Sequence, residues 1–217
     1  MVMTADMLRP TEAAVVARVA LRDVNRLIDE RVLPEGFFTL NEGRHVRAAA
    51  CTLISFYFAS AKRLTSEERL FAINEAGLRL NRFRALSPDA LVKEDWVVRD
   101  EFLAIDLTAF VRSAIERMDR LEAARELVVI DPEVLGGTPV IRGSRIPVYD
   151  VAASVAANVP TDRILAAYPS LDANTIELAA IYAEANPPRG RPRSSNELPM
   201  GAVIIADRRV RRGGKGE

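Results

Sequence analysis

From Leu127 to Val148 the chain reads LVVIDPEVLGGTPVIRGSRIPV, and no helix can run through it. Asp131-Pro132, Gly136-Gly137 and Arg142-Gly143-Ser144 are turn formers that separate three short β-type runs. On both sides of this stretch, apolar residues recur at helical spacing. The expected class is therefore mainly α, with a β-ribbon between two helical blocks. The changes of texture set the boundaries. An N-terminal and central region covers 1–126, a ribbon-plus-helices module 127–187, and an extended basic tail 188–217.

The first block opens with TEAAVVARVALRDVNRLIDERVLP, which divides into two helices joined by a tight turn. Thr11 is the expected cap of the first, with Ala13, Ala14 and Ala17 on its inner face. The second is expected from about Leu21 to Arg31. Val24, Leu27 and Ile28 fall on one side of it; Arg22, Asn25, Arg26 and Asp29 fall on the other. GFFTLNEGR reads as a short extended piece with a turn, and RHVRAAACTLISFYFASAKRL as a buried helix. The pair Thr65 and Glu68 forms a capping box that starts another helix, and Ser87-Pro88 breaks its pattern. Alternation at Leu103, Ile105 and Leu107, with a polar turn near Arg99-Asp100, predicts a β-hairpin. TAFVRSAIERMDRLEAAREL is a helix with Phe110, Ala114, Met118 and Leu121 facing the core.

In the second block Gly143 lets IRGSRI reverse direction at a left-handed position. Pro139 and Pro147 suit the ends or edges of strands. Three helices follow, in YDVAASVAANV, PTDRILAAYP and SLDANTIELAAIYAEANP. Pro160 suits the first turn of the middle one, Pro169 stops it, and Asp172 caps the last.

Basic and acidic residues balance at 30 each, which speaks against a bulk condenser of nucleic acid but allows a local basic patch. The single cysteine, Cys51, sits in an apolar run and reads as a small core residue. With no disulfide framework and no signal peptide, the expectation is a cytoplasmic protein. AAACTLISFYFASA is too short for a spanning helix, so no membrane partner is expected. The one histidine, His45, stands beside Arg44 at an expected helix start, with no Cys/His cluster of metal-ligand spacing. Neither GxGxxG nor a P-loop occurs. No catalytic residue, metal site or cofactor is expected, and the chain does not read as an enzyme.

The N-terminal helix pair has two readings on its residues alone. It is a hairpin that merely packs, or it is a helix-turn-helix whose second helix enters the major groove. Arg22, Asn25 and Arg26 are residue types that reach base edges and phosphates, while Asp23, Asp29 and Glu30 repel phosphate. EAAVVARVALRDVNRLIDERVL resembles the N-terminal helix-turn-helix of MerR-type regulators. Glu12-Ala13-Ala14, Val24, Arg26, Ile28 and Leu33 match that pattern. Arg18 stands where a turn glycine is usual, and Leu27 where an aromatic is usual.

GGTPVIRGSRIPVYDVAASVAANVPTDRILAAYPSL is similar to the signature of the DUF433 module. Gly137, Pro139, Val140, Ile141, Gly143, Arg145, Ile146, Pro147 and Val148 stand in place, with Ser144 for the usual threonine. Tyr168, Pro169 and Leu171 match downstream. The resemblance implies a β-ribbon followed by a tri-helical, helix-turn-helix-like bundle. It also implies an antitoxin of VapB type whose partner is a PIN-domain ribonuclease toxin. At the ribbon turn, Arg142 and Arg145 either decorate a solvated tip or touch phosphate; Arg145 could also hold a structural carbonyl or carboxylate.

The tail contains RGRP at Arg189 to Pro192, the core of an AT-hook, so Arg189 and Arg191 are candidates for the minor groove. Farther on, Val203, Ile204 and Ile205 form an apolar run followed by Arg208, Arg209, Arg211 and Arg212. This pattern suits folding on a protein partner. Given the resemblance, that partner would be the toxin, with arginines in its acidic site. The combined expectation is a homodimeric type II antitoxin that represses its own operon by binding operator DNA. The alternative is a stand-alone MerR-like transcription regulator with no toxin.

Overall fold

In the computed structural model, residues 7–41, 43–84 and 86–188 are described. Helices dominate, joined by small antiparallel sheets. The first helix, α1 (Pro10–Ala17), is not capped by Thr11. Arg9 is its N-cap and Pro10 its first residue, where a missing N–H costs nothing. Glu12 supplies one half of a capping box, accepting the Arg9 backbone N–H at 2.8 Å. A tight turn leads into α2 (Leu21–Asp29), which stops short of Arg31, a residue in the left-handed region at φ 52.

The segment expected to open the long buried helix starts as a strand. β3 (His45–Arg47) lies between β1 (Met7–Leu8) and β2 (Phe38–Thr39) in a three-stranded antiparallel sheet. Its pairings are Met7 with Arg47 and Leu8 with Val46 on one side, and Phe38 with Val46 and Thr39 with His45 on the other. His45 is therefore a strand residue, and the helix, α3, covers only Ala50–Ala59. The Thr65 box holds: Thr65 caps α4 (Ser66–Arg82), and its N–H donates to Glu68 Oε2 at 2.6 Å. Ser87-Pro88 both ends the earlier pattern and starts the short α5 (Pro88–Lys93), with Ser87 as N-cap.

β4 (Val97–Asp100) pairs with β5 (Leu103–Asp106), Asp100 opposite Leu103, so the turn falls on Glu101-Phe102 and not at Arg99-Asp100. In α6 (Thr108–Leu127) the buried face is Val111, Ala114, Ile115, Met118, Leu121 and Ala124, with Phe110 only half-buried.

In the ribbon, β6 (Val128–Val129) pairs with β7 (Val140–Ile141). The expected third run forms no strand: Pro147 makes a single bridge to Val140 and then caps α7 (Val148–Ala156). Gly143 is left-handed at φ 74, as the reversal demands. α8 (Thr161–Ala167) and α9 (Ala173–Ala185) follow, the latter capped by Asp172 Oδ1, which accepts from Thr175 N at 2.6 Å.

Two apolar clusters form the core. One gathers α1, α2, α3, α4 and most of α6; the other gathers the end of α6, the ribbon and α7 to α9. Ile181 packs on both clusters. A polar latch joins the start of α1 to the end of α9. Glu12, only 5% exposed, takes an ion pair from Arg9 at 2.7 Å and another from Arg125 of α6 at 2.9 Å. Arg9 also donates to the Asn186 side chain, and the Tyr149 hydroxyl donates to the Asn186 carbonyl at 2.8 Å.

Candidate nucleic-acid interface

The turn between α1 and α2 closes on backbone hydrogen bonds. Arg18 N–H donates to Val15 O at 3.3 Å and Val19 N–H to Ala14 O at 3.1 Å, the pattern of a left-handed helix stop. Arg18 adopts φ 54 and ψ 49 there. The position thus has the backbone a glycine would favour, but it carries an arginine.

Val24, Leu27 and Ile28 bury α2 against the core. Its opposite face carries two rows at helical spacing. In one row, Arg22 is exposed and makes no ion pair among the described residues. Arg26 is half-exposed, with its guanidinium 5.3 Å from the centre of the Phe58 ring of α3 and 3.9 Å from Asp23. In the other row, Arg44, in the β2–β3 connection, donates to Asn25 Oδ1 at 3.1 Å and pairs with Asp29 at 2.7 Å. The structure therefore brings Arg22, Asn25 and Arg26 onto one face and adds Arg44. Nothing local in the sequence announces Arg44, because its role depends on how the hairpin folds back onto α2.

This face can do two things chemically. Arg22 and Arg26 offer guanidinium donors to phosphate or to a guanine edge. Arg44 and Asn25 are occupied by each other and by Asp29, but exposed pairs of this kind are worth about 0–1 kcal/mol, so a phosphate can displace them at little cost.

Other predicted residues divide by location. Arg189, Arg191, Val203, Ile204, Ile205, Arg208, Arg209, Arg211 and Arg212 lie outside the described residues. Arg142 is a fastener: its Nε donates to Glu126 O at 2.8 Å and its backbone N–H to Leu127 O at 2.8 Å, satisfying carbonyls at the end of α6. Arg145 is exposed. Cys51 is buried, and burial pushes its thiol up to about 12, so it is no ready thiolate. Among the described residues, no three His, Cys, Asp or Glu side chains gather as metal ligands, and no helix is long and apolar enough to cross a membrane.

Residues 128–183 match the family model described as "Protein of unknown function (DUF433)". The span runs from β6 into α9 and contains the whole ribbon turn. Over 208 residues, the chain is 64% identical to the "Uncharacterized protein y4eO" of Sinorhizobium fredii, covering 96% of this chain and 94% of that one. No solved structure matches it. With that identity over nearly the full length of both chains, the protein belongs to the same family as y4eO, and within it residues 128–183 form a DUF433 domain.

Proposed function

We propose that the protein is a type II antitoxin of VapB class that represses its own operon through a MerR-like N-terminal helix-turn-helix. In this reading a homodimer binds operator DNA with α2 in the major groove. Arg22, Asn25 and Arg26 contact bases or phosphates, and Arg44 contacts the flanking backbone. The observation that carries the DNA half is the α2 face itself: its polar residues point outward, opposite Val24, Leu27 and Ile28, and an arginine from the following hairpin lies across it. The toxin half is supported by sequence: the resemblance of the DUF433 module to antitoxins, and an apolar run followed by four arginines in the tail.

The test of the DNA half is fluorescence anisotropy with duplex DNA from upstream of the gene, at fixed moderate salt. Arg26→Ala is expected to weaken operator binding by about 1–3 kcal/mol, a loss concentrated on one base position if it reads a base. Unchanged affinity in the Arg22, Asn25, Arg26 triple-alanine variant removes α2 as the reading helix.

A stand-alone regulator is the second reading, favoured by the outward polar face of α2, which on its own calls for DNA and not for a toxin. Co-expression with a neighbouring ribonuclease separates the two. Truncation after Arg193 is expected to abolish protection of the cell while leaving operator binding intact. Protection by the truncated chain moves the inhibitory surface to the folded part, and absence of any ribonuclease partner favours the regulator.

A further inference from the structure

The turn between α1 and α2 opens onto a cleft of 470 Å³ bounded by α1, α6 and α9. Three arginines line it: Arg18 from the turn, and Arg117 and Arg120 from α6. Its remaining walls include Val15, Val19 and Ile181. Such a volume, with aliphatic walls and a few convergent polar groups, is that of a small-molecule site.

The charges in this cleft are not balanced from within. Arg120 pairs with Glu177 at 2.7 Å, yet its Nε is buried without a hydrogen-bond partner among the described residues. Arg117 gives one donor to Val16 O at 2.9 Å and has no carboxylate at ion-pair distance among the described residues. Burial, and then the charge of Arg18, hold the Arg117 guanidinium below its ordinary pKa. Arg18 has no ion pair among the described residues, and exposed Glu184 is the remaining acid on the lining. Counting Arg18, Arg117 and Arg120 against Glu177 and Glu184 leaves one positive charge.

Arg18 also holds a conformation that costs a non-glycine residue about 1–2 kcal/mol. Strain of this kind persists where the surrounding structure holds it, and it clusters at ligand sites. We propose that the cleft binds a small organic oxyanion, a carboxylate or phosphate ester with an aliphatic body, gripped between Arg18 and Arg117. Guanidinium forks are suited to either head group, and the Val15, Val19 and Ile181 walls receive the body. An extended DNA backbone offers no such apolar part. The inference stands apart from operator binding and from the tail.

The test uses the full chain at constant ionic strength, with succinate, glycerol 3-phosphate and inorganic phosphate as probes against chloride. Calorimetric titration and thermal melting are the readouts. An organic probe is expected to bind saturably and to raise Tm by about 3–5 °C at tenfold over its Kd. Succinate or glycerol 3-phosphate as the tighter probe identifies the head group. Arg18→Gly, which suits φ 54, is expected to melt no lower than the parent without ligand and to weaken binding at least tenfold. Arg31→Gly makes the same backbone exchange at another left-handed arginine, outside the cleft, and is expected to bind like the parent. The proposal is overturned if no probe binds saturably, if inorganic phosphate binds as well as the organic probes, or if the two glycine variants behave alike. It is also overturned if Arg18→Gly loses duplex DNA while no small anion binds, which would assign the arginine to the DNA backbone.

Discussion

Trp96, Phe37 and Phe56 are at most 2% exposed in the N-terminal region, while the largest buried side chain of the DUF433 domain, Tyr182, remains 9% exposed. The other large, fully buried side chains, such as Leu53, Ile73, Leu107 and Leu121, also lie before the domain. The domain instead concentrates unusual backbone. Leu135, Gly136, Gly137 and Gly143 are all left-handed, and Pro147 sits at the junction of ribbon and helix. One region is specified by the volume its side chains fill, the other by the conformations its turns permit. A family signature of glycines and prolines is then expected for the second region. The first is free to drift in sequence while keeping its apolar volume.

The strongest test of this contrast is Trp96→Ala. Trp96 is 1% exposed, packs edge-on to Phe83 and donates its indole N–H to Leu91 O at 2.8 Å. Its truncation is expected to cost about 3–5 kcal/mol in urea unfolding. A loss no greater than that of Val151→Ala in α7 would mean that the two regions are packed alike.

Gly143 supplies the complementary test. A Cβ built there meets nothing within 4 Å, so only the backbone at φ 74 opposes a side chain. Gly143→Val is expected to cost about 2 kcal/mol, and Gly143→Asn clearly less, because asparagine tolerates the left-handed region. Equal melting of the two variants would assign the cost to something other than φ.

The smallest effect is expected at the latch between the regions. Burial pushes the Glu12 carboxyl up, but hydrogen bonds from Arg9 and Arg125 outweigh this and leave it below its ordinary value. A depressed carboxyl contributes stability that is complete above its unfolded pKa, about 4.3, and is lost as pH falls through the native value. Glu12→Gln is expected to cost about 1 kcal/mol at neutral pH and to flatten the acid limb of the Tm-against-pH curve. An unchanged acid limb would show that the latch carries no linkage.

What was legible in the sequence follows from how local each signal is. Thr65 with Glu68, and Asp172, announce their helices within one turn, and both stand as caps. Val24, Leu27 and Ile28 gave the buried face of α2 by spacing alone. The strand at His45 was not legible, because it is three residues long with Val46 its one apolar member, it runs straight on into the alanines before α3, and one of its two neighbours, Met7–Leu8, lies far away in sequence. Thr11 was the natural cap by residue type, but Pro10 fixes the first helical position and leaves Arg9 as cap. Of the candidate interface, the α2 residues could be read from their period; Arg44 could not, since folding alone brings it to α2, and the same holds for Arg117 and Arg120 at the separate cleft.

The latch has a consequence for connectivity. Arg9 and Asn186, near the two ends of the folded unit, share a hydrogen bond, and the loop between them closes on itself like a ring. A ring has no privileged place to be cut. Joining residues 188 and 7 by a short linker and opening the chain at Glu101-Phe102, where Phe102 is 99% exposed, keeps every described strand and helix intact. In such a circular permutant, fraying could no longer start at α1 or α9, and the latch would change from a clasp between loose ends into an interior crosslink.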